Sequence, residues 1–336
     1  MGLRVGAATL IFSTAFVANV CVREAEATPS CSNLGGVPVA ACSRNPAPHA
    51  ISSVLGGAKM ESAACASVLV EALASLYSYD DPNCYPRDSM IDSRLKYLGN
   101  AVSYLSYFDQ GPAKDAHLEG SLYCESSSNV LLFAFRGSED PRDILNQGWY
   151  PDWETNVVAH VGPTPRQYIY AFNAADNVKT GWISGRFDNA CGQGRPKLLE
   201  LTGHSKGGAE AQLAAVGVEL KAIVFNSDWL AQSALTDVPV PHSSGQDRNQ
   251  AIRCFPSIND SLREYYKSGA IQDVRMVNDP LLDILLGFRC SLPHANVEWL
   301  VDTSSCSAGD GHSIATVIRE LKACAVAAPR QQDTNP

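Results

Sequence analysis

A Gly-His-Ser-Lys-Gly-Gly sequence at positions 203–208 has the residue types and spacing of a nucleophilic serine held in a sharp turn. Residues 197–202 before it read as a short strand, and residues 209–220 after it form an Ala-rich segment typical of a helix. At such a turn the Ser205 hydroxyl stands exposed. The first N–H groups of the helix face the same point, which makes the backbone N–H of Lys206 a candidate oxyanion donor. The other interpretation is a Gly-rich turn that binds nothing or holds a phosphate.

A serine hydroxyl becomes a nucleophile when a base takes its proton, and that base is usually a histidine oriented by a carboxylate. Three histidines follow the turn, and His312 is the favoured base. It ends a turn-forming stretch immediately before residues 313–325, whose apolar stripe predicts a docked helix that would hold the imidazole. His294 is the alternative, with a structural hydrogen-bonding role as its ordinary interpretation. His242 lies in a stretch rich in Pro, Gly and Ser, which is a poor position for a base.

Asp279 is the favoured carboxylate for orienting the base. Residues 272–277 read as a strand, and the Asn-Asp-Pro sequence that follows ends it with turn residues. In open α/β sheets, ligands and catalytic groups collect beyond the carboxyl ends of the strands, where both Ser205 and Asp279 are expected. Asp228 and Asp283 are the alternative acids, and capping of the next helix is the ordinary role for Asp279.

Upstream of the serine, residues 129–138 combine an apolar run typical of a strand with an Arg-Gly-Ser sequence. A backbone N–H in a loop after a sheet strand can face the serine, so the N–H of Ser138 is a second candidate oxyanion donor. The guanidinium of Arg136 is expected to anchor loop carbonyls or a nearby carboxylate rather than to contact substrate.

These segments resemble class 3 lipases, which carry an Arg-Gly-Thr/Ser motif upstream of a Gly-His-Ser-x-Gly-Gly turn. The resemblance covers about residues 130–321, more than half of the chain. It implies an α/β-hydrolase fold with a mainly parallel central sheet, and cleavage of carboxylic esters through an acyl-serine intermediate. The other matching segments are Asp152-Trp153 with Asn156, Ile223-Val224-Phe225-Asn226-Ser227, Asn278-Asp279-Pro280 and Gly311-His312.

The same resemblance implies Ser205 as nucleophile, Asp279 as acid, His312 as base, and Ser138 with Lys206 as oxyanion donors. Leu is more usual after the serine in that family, so Lys206 is a departure that resembles bacterial lipase-like relatives. No cofactor or metal is implied. Triacylglycerol lipase and phospholipase A1 activity both fit, and a Lys206 side chain near a phosphate would favour the second. The alternatives are a short-chain carboxylesterase and a non-catalytic envelope or binding protein that keeps the fold.

The amino end is expected to direct export. Arg4 precedes an apolar run over residues 5–22, and Ala-Glu-Ala at 25–27 offers a cleavage site, which together predict a signal peptide over residues 1–27. The competing interpretation is an uncleaved membrane anchor. The predicted location is secreted or periplasmic.

The rest of the chain is predicted to form one hydrolase domain with additions at both ends. A helical, disulfide-containing N-terminal extension is expected over residues 28–110, with helices at 60–79 and 88–108 that pack on the core. The hydrolase domain is assigned to residues 111–326, and residues 327–336 to a disordered tail.

The cysteine content predicts disulfides, and the net charge bears on which partners the chain is expected to bind. Removal of the signal peptide would leave ten of the 11 cysteines, and an even number in an exported chain predicts disulfides, with Cys290 and Cys306 as one candidate pair. No cysteine spacing indicates a zinc site. The net charge of −9 disfavours nucleic acid. The expected partner is a lipid or ester substrate at a membrane or lipid interface, and the sequence leaves the oligomeric state open. Residues 139–163 and 231–250 are the two segments that could control access to the serine, and the first resembles the place where class 3 lipases carry a lid.

Overall fold

The computed structural model describes residues 51–53, 59–79, 94–100, 118–137, 166–192, 194–228, 268–276, 279, 297–301 and 313–326. The predicted signal peptide, lid and tail lie outside these residues. Within the described ranges, no helix combines the length and the apolar character needed to cross a membrane.

The described residues form one sheet flanked by helices. Its strands are β1 (Ile51–Ser53), β2 (Leu95–Asn100), β3 (Gly120–Glu125), β4 (Val130–Phe135), β5 (Leu198–His204), β6 (Lys221–Phe225), β7 (Ile271–Met276) and β8 (Val297–Val301). They lie in the order β1-β8-β7-β6-β5-β4-β3-β2. Strands β4 to β8 are parallel, whereas β1 pairs antiparallel with β8, β3 with β4, and β2 with β3. The predicted mainly parallel central sheet is therefore confirmed.

Helices cover both faces of the sheet. They are α1 (Ser62–Tyr77), α2 (Arg166–Ile183), α3 (Lys206–Val218) and α4 (Ile314–Val326). Helices α1 and α4 share one apolar cluster with the sheet, and α2 and α3 share another on the opposite face. Every residue of β3 and β4 is buried, as expected for central strands with both faces covered. The carboxyl ends of the parallel strands consequently lie together at one edge of a three-layer α/β/α domain.

Helix α1 runs along the sheet toward this carboxyl edge. Its Ser75 hydroxyl hydrogen-bonds the Thr202 hydroxyl of β5 at 2.8 Å. The Ser78 hydroxyl, one turn later, donates to the carbonyl of Phe135, the last residue of β4, at 3.3 Å. The carboxyl end of α1 therefore meets the ends of β4 and β5.

Helix α4 packs along α1 in the opposite direction. A disulfide joins Cys65 near the start of α1 to Cys324 near the end of α4. The two helices also share apolar contacts along their lengths. The amino end of α4, where the amides of Thr316 and Val317 donate to the Ser313 carbonyl, consequently lies toward the carboxyl edge of the sheet.

A second disulfide joins Cys124 of β3 to Cys191, in the turns that follow α2. The expectation that the chain contains disulfides is confirmed by these two bonds. The candidate pair Cys290 and Cys306 lies outside the described residues.

Most predicted elements agree with the structure, and one does not. The helices predicted at 60–79, 209–220 and 313–325 correspond to α1, α3 and α4, and the predicted strands correspond to β4, β5 and β7. The helix predicted over residues 88–108 is wrong for Leu95–Asn100, which forms β2. Pairing with β3 overrides the local apolar pattern, and Gly99 has a φ of 140°, which lies outside the helical region.

Candidate active site

Ser205 occupies the turn between β5 and α3 in a strained backbone conformation. Its φ is 56° and its ψ is −128°, a region that residues with a side chain rarely adopt and that costs about 1–3 kcal/mol. Hydrogen bonds hold the turn from both sides. The Ser205 N–H donates to the Phe225 carbonyl at 3.1 Å, and the Ser205 carbonyl accepts from the N–H groups of Gly208 and Ala209 in α3 and of Asp228 after β6. The predicted strand–turn–helix context is thus confirmed, with the strain typical of a nucleophile elbow.

Two glycines make this elbow possible through close backbone approach. A Cβ on Gly203, in β5, would overlap the carbonyl group of Gly207 in the first turn of α3. A Cβ on Gly207 would lie 2.5 Å from the Phe135 carbonyl oxygen at the end of β4. The elbow is therefore packed directly against the end of the neighbouring strand, and neither position has room for a larger residue.

The end of β4 brings the predicted oxyanion loop to the elbow. Arg136 is anchored by its N–H to the Glu119 carbonyl at 3.0 Å, and its guanidinium pairs with the Glu119 carboxylate. The predicted structural role of Arg136 is confirmed. Gly137 follows and is buried, and Ser138 lies outside the described residues.

Asp279 lies just beyond the end of β7, two strands from Ser205. It is 1 % exposed, and its N–H donates to the Met276 carbonyl at 3.2 Å, which turns the chain at the strand end. Because β5, β6 and β7 are parallel, Ser205 and Asp279 both follow carboxyl ends of strands. The structure thus places the favoured acid on the expected edge, and Asp283 lies outside the described residues.

The alternative acid Asp228 is part of the support beneath the elbow. Its N–H donates to the Ser205 carbonyl at 3.0 Å, and its side chain is buried. Burial, reinforced by the charges of Asp228 and Glu210, raises the pKa of the Tyr168 hydroxyl well above its usual value. Asp228 is therefore close to Tyr168 of α2, and its N–H contributes to the hydrogen bonds that hold the Ser205 backbone.

His312, His294 and His242 lie outside the described residues. Ser313 is described, and it follows His312 directly in the sequence. Because α4 runs antiparallel to α1, Ser313 lies toward the carboxyl edge, the edge that also carries Ser205 and Asp279.

The side chain of Lys206 points into the protein. It is 2 % exposed, its ammonium donates to Gln167 Oε1 of α2 at 3.0 Å, and it lies 3.8 Å from Glu210 Oε1 one turn along α3. The idea that this ammonium meets a substrate phosphate is therefore wrong. The side chain instead ties the start of α3 to α2.

Sequence reasoning missed a buried ion pair on β7 that fixes the loop after β6. Arg275 Nε donates to Asp273 Oδ2 at 2.6 Å, and Arg275 Nη2 donates to the Ser227 carbonyl. Asn226 accepts from the Met276 N–H at 3.0 Å and has a φ of 41°. The only signal in the sequence is the i, i+2 spacing of Asp273 and Arg275, which puts both on one face of a strand.

Sequence reasoning also missed Tyr79, which follows α1. Its hydroxyl lies 2.8 Å from Nδ1 of His204, the residue before Ser205. No spacing predicts this contact, because 125 residues separate the two positions.

Neither a protein-family model nor a curated protein matches the sequence. Among solved structures, this chain is similar to a fungal lipase–inhibitor complex (16% identity, TM-score 0.42, 74% of this chain and 82% of that chain). It is also similar to a lipase from Rhizopus microsporus var. chinensis, with 13% identity and a TM-score of 0.41 over 81% of this chain and 91% of that chain. The third example is Lip2 lipase from Yarrowia lipolytica, with 11% identity and a TM-score of 0.41 over 77% of this chain and 90% of that chain. Because these sequence identities and TM-scores are low, the assignment of an α/β-hydrolase fold rests on the sheet order and the elbow.

Proposed function

We propose that this chain is an exported serine hydrolase that cleaves carboxylic ester bonds of lipids through an acyl-Ser205 intermediate. The observation that carries the proposal is the strained backbone of Ser205 at the junction of β5 and α3. A fold keeps such strain only where its surroundings enforce it, and hydrogen bonds from β6, its following loop and α3 do so here. The sequence resemblance to class 3 lipases supplies the reaction class.

Acylation begins with transfer of the Ser205 proton to His312. The Ser205 Oγ then attacks the ester carbonyl carbon, and the carbonyl oxygen becomes an oxyanion that accepts hydrogen bonds from the N–H groups of Ser138 and Lys206. The carbon–oxygen bond to the alcohol breaks, and His312 gives its proton to the departing alkoxide. Asp279 holds the imidazole in the tautomer that accepts the serine proton.

Deacylation repeats these steps with water as nucleophile. His312 takes a proton from water, the hydroxide attacks the acyl carbon, and Ser205 leaves with the returned proton as the fatty acid is released. Two donors at the oxyanion contribute a factor of about a hundred or more each to the rate. No cofactor or metal takes part in this mechanism.

The proposed substrates are long-chain lipid esters at a membrane or lipid interface. Triacylglycerols and phospholipids at the A1 position are both included, because the Lys206 ammonium contacts Gln167 and Glu210 and gives no preference for a phosphate. Short-chain carboxylic esters are the alternative substrate class. Nucleic acid is not a proposed partner for a chain of net charge −9.

Export is proposed from the amino-terminal sequence together with the disulfides. The Cys65–Cys324 and Cys124–Cys191 bonds fit an oxidising compartment, where such bonds persist. The domain division at about residue 110 belongs to the same proposal, with β1, α1 and β2 as the described elements of the extension.

The proposal is tested by measuring fatty acid release from triacylglycerol, phosphatidylcholine and short-chain esters, together with labelling by a fluorophosphonate. Ser205→Ala is expected to abolish both. Ser184→Ala is the matched control, because Ser184 is exposed at the end of α2 and hydrogen-bonds only locally to Gly181 in the described structure. Full hydrolysis by Ser205→Ala would overturn the assignment, and a wild-type chain that neither hydrolyses nor labels would favour the non-catalytic binding protein.

The choice of base is tested in the same assay. His312→Ala is expected to lower kcat at least about a thousandfold, because triad members act as a unit, while His294→Ala keeps most of the activity. The reverse result would move the base to His294.

A further inference from the structure

The carboxyl end of α1 is attached to the sheet at successive positions that approach the elbow. The Thr202 hydroxyl lies 3.3 Å from the Glu71 carbonyl and 2.8 Å from the Ser75 hydroxyl. The Ser78 hydroxyl donates to the Phe135 carbonyl, the last residue of β4. These contacts lie at a spacing of three to four residues, on one face of α1, so the helix delivers the residue after Ser78 to the ends of β4 and β5.

That residue is Tyr79, and its hydroxyl lies between two segments of the site. It is 2.8 Å from His204 Nδ1 and 3.5 Å from the His204 carbonyl oxygen, on the residue before the nucleophile. The two rings meet edge to face with centroids 5.9 Å apart. The hydroxyl oxygen would clash with a Cβ on Gly137 at 1.8 Å, and this Cβ would also lie 2.7 Å from the His204 carbonyl oxygen. Gly137, Tyr79 and His204 are therefore in direct contact.

This contact joins the two loops that the proposed reaction requires. Gly137 precedes Ser138, whose N–H is the proposed oxyanion donor, and His204 precedes Ser205. The distance between the oxyanion donors and the serine Oγ depends on how closely these loops pack. A displacement of about 1 Å at a reacting centre costs on the order of a hundredfold in rate.

We propose that Tyr79 is a positioning residue, whose hydroxyl holds His204 and the Gly137 backbone in register so that the oxyanion donors face Ser205. This inference rests on the proposed serine hydrolase function. It assigns to the N-terminal extension a part in catalysis, since Tyr79 belongs to the segment before the hydrolase domain. Tyr79 acts through His204 and Gly137 and does not itself contact the reacting atoms.

The first test is Tyr79→Phe, which removes the hydroxyl and keeps the ring. We expect kcat on a soluble nitrophenyl ester to fall about tenfold to a hundredfold with KM changed less than about twofold, because the oxyanion forms only after substrate has bound. Tyr77→Phe is the matched control, since Tyr77 is a buried tyrosine in the last turn of α1, two residues before Tyr79, and packs with the apolar cluster. It should keep wild-type kcat.

Thermal unfolding of both variants separates positioning from stability. A Tyr79→Phe variant with wild-type kcat would overturn the inference. So would a Tyr77→Phe variant that loses as much kcat as Tyr79→Phe, if in both variants the loss of kcat parallels a loss of thermal stability. His204→Asn provides a second route if Tyr79→Phe fails to fold. In the double variant, the losses from Tyr79→Phe and His204→Asn should not multiply, because both remove one interaction; fully multiplied losses would contradict the proposal.

Ser205→Ala, measured beside these variants, distinguishes failure of the positioning role from failure of the proposed hydrolase function. Loss of activity in Ser205→Ala with wild-type kcat in Tyr79→Phe would refute the positioning role alone. Activity retained in Ser205→Ala would refute the proposed function, and the role of Tyr79 with it.

Discussion

Glu71→Gln is expected to remove a pH-dependent loss of stability that the buried carboxyl of Glu71 imposes on the fold. Glu71 lies on α1 against the sheet and is 5 % exposed, and its Oε2 atom has no hydrogen-bond partner among the described residues. Burial, reinforced by the Glu200 carboxylate of β5, raises the pKa of Glu71 from 4.5 to about 8. At about 1.4 kcal/mol for each pKa unit, the difference corresponds to about 5 kcal/mol in the free energy of unfolding.

The sign follows from which state holds the proton. Between pH 4.5 and about 8 the unfolded chain ionises Glu71 while the folded chain keeps it neutral, so unfolding releases a proton. The contribution of this group to stability is therefore full below pH 4.5 and is lost as the pH rises to about 8. Glutamine resembles the neutral acid, so Glu71→Gln should match the wild type at the acidic end and exceed its stability at the alkaline end.

Urea unfolding followed by tryptophan fluorescence, with the disulfides intact, measures this difference. The gap between Glu71→Gln and the wild type should grow with pH and reach several kcal/mol, with about 5 kcal/mol as the upper value. Glu61→Gln is the control for the same chemical change, because Glu61 is exposed just before the same helix. A constant gap between Glu71→Gln and the wild type across this range would refute the buried neutral carboxyl.

Two further predictions concern the elbow and the start of α3. Gly207→Ala places a methyl group 2.5 Å from a neighbouring carbonyl oxygen, so we expect loss of most ester hydrolysis and of fluorophosphonate labelling; a variant that labels at the wild-type rate would contradict the packing described for Gly207. Lys206→Met leaves the buried Glu210 without its ammonium partner and should destabilise the fold by about 3–5 kcal/mol, as judged by urea unfolding. It should leave the ratio of phospholipid to triacylglycerol hydrolysis unchanged, and a selective loss of phospholipid hydrolysis would place the ammonium at the substrate.

The central strands and the elbow could be predicted because their signals are local. A buried parallel strand needs a continuous apolar run, and the run at Val130–Phe135 has that composition. The elbow needs small residues at fixed offsets from Ser205, and Gly203 and Gly207 stand at those offsets. Asp279 could be placed because a turn sequence after a strand marks its carboxyl end.

Other features required the tertiary structure because their causes lie far apart in the chain. Leu95–Asn100 has apolar residues that also suit a helix, and pairing with β3 decides for a strand. The direction of the Lys206 side chain depends on Gln167 of α2, 39 residues away. The disulfide partners of Cys65 and Cys124 follow from how helices pack and strands end, which no spacing encodes.

The sequence by itself thus determined the proposed reaction centre, because a nucleophile elbow is built from consecutive residues whose sizes and backbone freedom suffice to specify it. The tertiary structure decided what holds that centre in place. Tyr79 reaches His204 only because α1 packs along β5, and the loop after β6 supports Ser205 only because Arg275 is buried beneath it. Such contacts join segments through burial and hydrogen bonding across the sheet, and they exist only once the layers have assembled.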